Sequence, residues 1–418
     1  MQKYDLIVVG GGLSGVAAAT AAARDGMSVL LIEKSGCLGG AMSNSLVYPF
    51  TRFWTTENGK RKYLNGGLFD EMRTRQERYE VNPENSADYF MPEYFKLALD
   101  DMLESCGVTT LFHAFVFEVI TKNGKITGVR TAVKTGVMGF EADFFIDATG
   151  DGDLFTLAGC DFRLGRDGDG LCQPMTTCFR MSGVDTELFK KDGSRLQELY
   201  KKMQAEGKIK NPREDLLCFF GIGKGIVHFN TTRIVRHDPT NPFEVSHAEI
   251  EARRQVHEIV AFLKNNSRAF SESTVISIAS EIGVRESRML NGEHILTVDE
   301  IKNCKYFDDA IALGNYDIDI HNPEGSGTSH YYFKDGEFYT IPYRCLLPRE
   351  YDNLLVAGRC ISVTHEAQAS IRIMAICSCL GEAAGSAAAL AKRENTGVHG
   401  IDVSELRKKL ISNGVVLN

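Results

Sequence analysis

Residues 5–34, which read DLIVVGGGLSGVAAATAAARDGMSVLLIEK, decide the fold. Leu6–Val9 is a short apolar run typical of a strand, and Ser28–Ile32 is a second one. Between them, Leu13–Asp25 is rich in alanine and typical of a helix, which Gly26 would end. A strand, a helix and a strand within about 30 residues predict a βαβ unit with parallel strands and a right-handed crossover.

Three glycines in the turn of this unit carry a binding signal. Gly10, Gly12 and Gly15 form G-x-G-x-x-G after a strand and at the start of a helix. The first glycine allows the tight turn, the second lets the backbone approach a pyrophosphate, and the third lets helix and strand pack closely. Glu33 ends the second strand, where a carboxylate binds ribose hydroxyls and disfavours a 2′-phosphate. The stretch therefore predicts a dinucleotide that is not of the NADP type.

Three further segments resemble the FAD-binding segments of flavoproteins. Gly39-Gly40 completes an E-x5-G-G pattern, and Phe144–Gly150 is an apolar run that ends in Ala-Thr-Gly. Near the C-terminus, Asn353–Arg359 reads NLLVAGR and Thr364–Met374 reads THEAQASIRIM. In the related flavoproteins such a strand, glycine and helix N-terminus meet the flavin pyrimidine.

The wider text is similar to one family. Val284–Asn291 (VRESRMLN), Gly314–Gly325 (GNYDIDIHNPEG) and Tyr339–Pro348 (YTIPYRCLLP) resemble the bacterial FAD-dependent oxidoreductase family. That family is related to the flavin domain of heterodisulfide reductase and more distantly to fumarate reductase flavoproteins. The resemblance implies FAD and redox chemistry at the flavin, and it implies no particular substrate.

The resemblance also implies which residues contact the cofactor. Histidyl-linked flavoproteins carry their histidine early in the chain, and none occurs between Met1 and Phe112, so we expect non-covalent FAD. Gly40 is followed by Ala41 and not by a redox cysteine pair, which excludes dithiol chemistry there. The expected cofactor contacts are Gly10, Gly12, Gly15, Glu33, Lys34, Gly39, Gly40, Val116, Ala148, Thr149, Gly150, Gly358, Arg359, Ser370 and Ile371.

These patterns predict an α/β fold: a Rossmann-like FAD/NAD(P)-binding domain with a β-meander crossover, plus an inserted α+β substrate or cap domain. The predicted meander strands are Leu111–Ile120, Ile126–Val133 and Phe140–Ile146. The predicted division is a discontinuous FAD domain over residues 1–47, 93–164 and 341–418, an insertion over 48–92 and a cap domain over 165–340.

Three local predictions concern the cap domain and the tail. Ser246–Asn265 is predicted as a helix that a capping box opens, Ser246 with Glu249. His294–Val298 has the composition of a strand. Ser370–Lys392 is predicted as one long alanine-rich helix.

His365, Arg372 and Arg285 are the candidates for the chemistry. His365 lies between the C-terminal strand and the following helix, and we expect it to face the flavin or, alternatively, to order the loop. Arg372, placed in the first turn of the predicted helix, is expected to hold an anionic substrate or the reduced flavin, because a cation there needs an anion to balance it. Arg285 is expected to act as a carboxylate or phosphate clamp, or else as a salt-bridge residue, and the same holds for Arg233, Arg288 and Arg344.

Two other side chains are interpreted with their alternatives. Arg359 is expected to contact the flavin or the pyrophosphate, and a surface ion pair is the alternative. His228 lies in an apolar run and is expected to be a core histidine with satisfied hydrogen bonds.

Composition and charge narrow the classes of function. With 47 Lys and Arg against 55 Asp and Glu, the net charge is −8, so general nucleic-acid binding is not predicted. Eleven cysteines, an odd number in 418 residues, predict a reducing cytoplasm and no disulfide framework. No C-x2-C-x2-C occurs, and the C-x-C of Cys377 and Cys379 is interpreted as buried core. No iron–sulfur cluster or metal site is therefore predicted.

No membrane span is predicted either. Glycines interrupt the uncharged stretch Leu6–Ala23, and Ile373–Gly381 is only nine residues long. We expect a cytoplasmic FAD-dependent oxidoreductase that exchanges a hydride with a small polar substrate, which an anionic group would suit. Two alternatives stay open: an electron-transfer flavoprotein that works with a redox partner protein, and a non-redox FAD-containing lyase or isomerase.

Overall fold

The computed structural model describes residues 2–80 and 88–417. Within these ranges the strands are β1 (Gln2–Val9), β2 (Val29–Ile32), β3 (Trp54–Glu57), β4 (Lys60–Tyr63), β5 (Thr109–Leu111), β6 (Phe115–Lys122), β7 (Lys125–Val133), β8 (Gly136–Asp147), β9 (Phe162–Leu164), β10 (Phe179–Ser182), β11 (Cys218–Phe219), β12 (Val227–Phe229), β13 (Thr274–Ile278), β14 (Arg288–Leu290), β15 (Ala310–Gly314), β16 (Ile318–His321), β17 (Thr328–Tyr331), β18 (Tyr339–Pro342) and β19 (Leu354–Val356). The helices are α1 (Leu13–Arg24), α2 (Ala41–Asn44), α3 (Leu68–Arg75), α4 (Pro92–Glu104), α5 (Asp153–Leu157), α6 (Thr186–Ala205), α7 (Pro242–Asn266), α8 (Val298–Lys302), α9 (His365–Ile371), α10 (Met374–Glu394) and α11 (Val403–Ser412).

The larger sheet has the order β5-β2-β1-β8-β7-β6, and β19 pairs with β8. β1 runs parallel to β2 and β8, whereas β6, β7 and β8 form an antiparallel meander. The long strand β8 joins the two arrangements, because its first half pairs with β7 and its last residues pair with β19. The predicted α/β class with a Rossmann-like βαβ unit and a β-meander is therefore confirmed.

A smaller sheet, in the order β11-β12-β10-β13, lies in the part of the chain predicted as the cap domain. Its strands are antiparallel, and one face packs against α6 and α7 through a separate apolar core. That core contains Phe179, Met181, Phe189, Leu196, Val227, Phe229, Val256 and Ile259. The exact domain boundaries stay a prediction, and residues 81–87 of the predicted insertion lie outside the described residues.

Four predicted elements differ from the structure. The predicted strand Leu111–Ile120 is divided between β5 and β6, because His113 adopts a positive φ of 53° between them. The predicted strand His294–Val298 is wrong, since Thr297 and Glu300 form a capping box that opens α8 there. The predicted helix Ser370–Lys392 is two helices, α9 and α10, which meet at Arg372 and Ile373.

The predicted start of α7 is also wrong. The helix begins at Pro242, and the side chain of Asn241 accepts hydrogen bonds from the backbone N–H groups of Phe243 and Glu244. Ser246 lies inside the helix, where its hydroxyl donates to the carbonyl oxygen of Pro242. An Asn-Pro pair is a strong helix start, because asparagine caps well and proline suits the first turn.

The first and last parts of the larger core meet through α1 and α10. A Cβ at Gly381 would overlap the backbone of Ser14, and a Cβ at Gly385 would overlap the backbone of Ala18. The two glycines therefore let the helix backbones approach more closely than any larger residue would allow. Among the described helices, α10 is long and apolar enough to cross a membrane, but 94% of its most apolar window is buried inside the molecule.

Glu382 is a buried acid where α10 meets α3. Its Oε2 accepts a hydrogen bond of 2.8 Å from the backbone N–H of Leu68, the first residue of α3. Burial raises the pKa of Glu382 to about 7. The folded protein therefore keeps a proton on this carboxyl at a pH where the unfolded chain has lost it.

We expect Glu382→Gln to remove a decrease of stability that the natural protein shows between pH 4.5 and 7. The folded-state pKa is raised, so the contribution to stability is full below pH 4.5 and is lost as the pH rises, by about 3 kcal/mol in all. The amide keeps an acceptor for Leu68 and has no proton to lose. Chemical denaturation at pH 5 and pH 8 measures the effect, with the exposed Glu405→Gln as the control. A variant that is equally destabilised at both pH values would contradict the assignment.

Candidate active site

A cavity of about 330 Å³ lies at the carboxyl ends of β1 and β8, next to the turn between β1 and α1. Most of the predicted cofactor residues line it: Gly10, Gly12, Glu33, Lys34, Gly39, Gly40, Ala148, Thr149, Gly150 and Arg359. Val116 lines an adjoining cavity of about 40 Å³, which shares Gly10, Glu33, Lys34 and Thr149 with the first. Gly15, Gly358, Ser370 and Ile371 pack behind the wall and do not line these two cavities.

The glycines of the turn differ in what each one faces. A Cβ at Gly15 would overlap the carbonyl oxygen of Gly10, so this glycine is required by the packing of α1 on β1. Gly12 has an ordinary φ of −66°, and a Cβ there would come no closer than 4.0 Å to a protein atom, the Cα of Gly40. Nothing in the protein requires glycine at position 12, but a dinucleotide backbone against the cavity wall would. The cradle therefore fits the pyrophosphate of FAD.

Glu33 is buried at the edge of the cavity. Its Oε2 accepts from the backbone N–H of Gly11 at 2.6 Å, and its Oε1 accepts from the backbone N–H of Ser35 at 2.7 Å. These two bonds fix the carboxylate between the glycine turn and the end of β2. Each carboxylate oxygen has a further lone pair, so the ribose hydroxyls expected at this position can still be bound.

Arg359 enters the cavity as half of an ion pair. Its Nη2 lies 2.6 Å from Oδ1 of Asp151, which also accepts from the hydroxyl of Ser287. Burial raises the pKa of Asp151, but the charge of Arg359, aided by Ser287 and Lys34, outweighs it and holds the pKa below its ordinary value. The ion pair is partly buried and lies at the predicted cofactor cavity, so the alternative of a surface ion pair holds only in part.

Arg372 also lines the cavity, at the end formed by α2 and the start of α10. It follows α9 and precedes Ile373, the N-cap of α10, so the predicted place in the first turn of a long helix is corrected. Its Nη2 lies 3.6 Å from Oδ2 of Asp319, and its Nε has no hydrogen-bond partner. Arg372 is thus a cation whose nearest carboxylate is beyond hydrogen-bond distance.

Arg285 supports this end of the cavity from behind. It does not line the cavity, and its Nη1 donates to the carbonyl oxygen of Pro174 at 2.6 Å and to the hydroxyl of Thr176. Burial lowers the pKa of Arg285 to about 9, and the charge of Arg372 lowers it further. The predicted direct clamp is therefore not seen, but the two arginines share one electropositive region.

His365 is placed away from both cavities. It is buried, and its Nδ1 lies 2.7 Å from Oε1 of Glu286. The other oxygen of Glu286 accepts from the backbone N–H of Gln173. This arrangement suits the structural alternative, in which His365 orders the loop before α9, and its direct role in the chemistry stays a prediction.

A buried polar chain next to Arg372 was not foreseen from the sequence. Nη2 of Arg233 lies 3.0 Å from Nδ1 of His321, and arginine can only donate, so the imidazole proton is assigned to Nε2. Nε2 in turn lies 3.3 Å from Oδ2 of Asp319, which also accepts from the hydroxyl of Tyr316 at 3.0 Å. Asp319 and His321 alternate on β16, a two-residue spacing that places both side chains on one face of the strand.

His228 has no hydrogen-bond partner, contrary to the expectation of a satisfied core histidine. It lies on β12, fully buried, with both ring nitrogens unpaired, and Nε and Nη2 of the neighbouring Arg180 on β10 are unpaired as well. Burial, followed by the charge of Arg180, lowers the pKa of His228 to about 3. The imidazole is therefore neutral throughout the physiological range.

The cavity explains the comparisons with known proteins. Three solved structures cover nearly the whole chain: a geranylgeranyl bacteriochlorophyll reductase-like protein of Thermoplasma acidophilum (15% identity, 100% of this chain, 85% of that chain, TM-score 0.47), p-nitrophenol 4-monooxygenase of Pseudomonas putida (10%, 98%, 84%, TM-score 0.49) and a myxobacterial FAD-dependent chondrochloren halogenase (12%, 98%, 78%, TM-score 0.44). At such identities and scores they carry no argument about the reaction. The family model for FAD dependent oxidoreductases matches residues 5–410. The chain is an FAD-dependent enzyme and belongs to the FAD-dependent oxidoreductase family.

Proposed function

We propose that this oxidoreductase holds FAD non-covalently and exchanges a hydride with a small polar substrate whose anionic group binds Arg372. FAD supplies the two-electron redox chemistry when it is bound. The glycine turn and Glu33 would hold its pyrophosphate and ribose, as their place at the cavity suggests. The choice of substrate class rests on the charge at the other end of the cavity.

Arg372 is the observation that carries this choice. The other cationic side chains that line the cavity, Lys34 and Arg359, each have a carboxylate within 3.3 Å. The carboxylate nearest to Arg372, that of Asp319, lies 3.6 Å away and is shared with His321. A partly buried guanidinium with an unpaired Nε gains most from a planar anion, and a carboxylate matches its geometry.

An anaerobic bleaching screen tests the reaction. The purified protein is loaded with FAD and mixed without oxygen with panels of small carboxylates, and with the matching amides and alcohols. We expect the absorbance near 450 nm to bleach with a carboxylate and not with its amide. Bleaching only by a reduced iron–sulfur or flavin protein would support the electron-transfer alternative, and turnover of a substrate without bleaching would support the lyase or isomerase.

Arg372→Gln is expected to raise the KM for the anionic substrate by about tenfold or more, since a charge-assisted bidentate contact contributes about 1.5–3 kcal/mol. The neutral side chain keeps hydrogen-bond donors but loses the charge. Steady-state kinetics of the natural protein and the variant measure the effect, and Arg344→Gln, which breaks an ion pair with Asp309 outside the cofactor cavity, is the matched control. An unchanged KM in Arg372→Gln would argue against the anion site.

Three expectations stay proposals. We infer a cytoplasmic location from the cysteine content alone. Kinship with the flavin domain of heterodisulfide reductase and with fumarate reductase flavoproteins rests on the sequence motifs of the three FAD-binding segments. A redox partner protein would enter only if the screen identifies one.

A further inference from the structure

Two histidines and a glutamate meet beside α7, outside the cofactor cavity. Nε2 of His237, in the segment before the helix, lies 3.3 Å from Nδ1 of His247 in its second turn. The carboxylate of Glu251 follows His247 by four residues, so both project from one face of the helix. One ligand atom from each of the three residues lies within 4.8 Å of the others.

We propose that His237, His247 and Glu251 bind a divalent transition-metal ion of the Zn²⁺ class. Two imidazoles and a carboxylate form the ligand set of many three-ligand zinc sites, which leave the fourth position to water or another small ligand. Ligand atoms about 2.0–2.1 Å from a tetrahedral zinc ion are about 3.3–3.4 Å apart. The 3.3 Å between the two ring nitrogens is the separation that such a site requires.

The surroundings of His237 prepare its nitrogen for a metal. Its Nδ1 lies 2.7 Å from the carbonyl oxygen of Val235, which can only accept. The proton is therefore assigned to Nδ1, and the lone pair of Nε2 points toward His247. An imidazole whose second nitrogen donates to a backbone carbonyl is the usual support of a metal-binding histidine.

The same contacts define which ions the site would take. Mg²⁺ and Ca²⁺ prefer oxygen ligands, whereas imidazole suits zinc, copper and nickel. His247 is exposed, so an ion can enter from solvent. Glu251 also accepts from the side-chain amide of Gln255 at 3.1 Å, which orients its carboxylate.

A bound ion would tie the segment before α7 to the helix. Pro239 of that segment and Val245 and Glu249 of α7 line the cofactor cavity, so the tie would stiffen one wall of the cavity without touching its contents. The site does not depend on the proposed reaction. Its role is structural, and its loss is expected to change the stability of the wall and not the redox chemistry.

Metal titration of the untagged, FAD-loaded protein tests the proposal. We expect one equivalent of Zn²⁺ to bind, measured by competition with a chromophoric chelator, and to raise the melting temperature, because an ion that binds only the folded state stabilises it. Co²⁺ in its place should give the visible absorption of a tetrahedral complex. Mg²⁺ and Ca²⁺ should do neither.

His247→Gln and Glu251→Gln are expected to weaken Zn²⁺ binding by about tenfold or more and to abolish the rise in melting temperature. His257→Gln, an exposed histidine ten residues further along α7, is the matched control and should bind as the natural protein does. Stoichiometric binding that survives in both ligand variants, or no binding to the natural protein, would overturn the proposal. In the second case the 3.3 Å contact is only an N–H···N hydrogen bond between the two rings.

Discussion

Gly15→Ala is expected to destabilise the protein by about 4 kcal/mol or more, even without cofactor. The added methyl group would overlap the carbonyl oxygen of Gly10, and Ala148 is also within 3.3 Å of its position, so α1 would have to move away from the sheet. Overlap with backbone cannot be relieved by a change of rotamer, which places the variant in the severe class of core substitutions. Chemical denaturation of the FAD-free protein measures the loss.

Gly12→Ala separates the needs of the protein from those of the cofactor. Its methyl group would meet no protein atom closer than 4.0 Å and the backbone needs no positive φ, so we expect the FAD-free variant to be about as stable as the natural protein. The methyl group points into the cavity, so FAD affinity should fall by about a hundredfold or more, measured by fluorescence titration. Normal FAD binding in Gly12→Ala would show that the pyrophosphate lies elsewhere.

His228→Leu is expected to make the protein less sensitive to acid. With a folded-state pKa of about 3, His228 stays neutral in the fold while the unfolded chain takes up a proton below pH 6.5. The natural protein therefore loses about 2 kcal/mol of stability through this residue as the pH falls from 6.5 to 4.5. Leucine has a similar volume and no nitrogen to leave unpaired, so the variant should also be at least as stable at pH 7.

Denaturant unfolding at pH 7, 5.5 and 4.5 checks this prediction. His257→Gln, an exposed histidine, is the control and should follow the natural protein at each pH. A variant that loses stability as steeply as the natural protein would mean that His228 finds a partner or a proton in the fold. Melting of the variant at neutral pH would instead indicate that its ring contact with Tyr48, 5.4 Å between centroids, matters more than its unpaired nitrogens.

The nucleotide-binding half was predictable because its signals are local. The glycine turn, the strands beside it and Asp147–Gly150 depend on neighbours in the sequence, so their place at one sheet edge follows from parallel pairing. The capping box of Thr297 and Glu300 was equally local, and it could have replaced the wrong strand prediction.

The other end of the cavity was harder, for a physical reason. No proline or glycine marks the break at Arg372, because the break follows from Thr364, which caps a first short helix, and from a second helix that restarts at Met374. The neighbours of Arg372 come from β16, and the unpaired nitrogens of His228 depend on what three strands place around it. Such contacts between distant segments leave no periodic signal in the sequence.

The close packing of α1 on α10 has a consequence for how the chain is made. The ribosome delivers α1 with the first glycines and delivers α10 and β19 only near the end of synthesis. Until then one flank of α1 and one edge of β8 are bare, and the apolar residues that α10 will cover face water. The dinucleotide turn therefore has its complete sequence early but its support late. Cofactor loading becomes an event of the finished polypeptide, and a nascent chain stalled before residue 374 exposes the surface that chaperones bind.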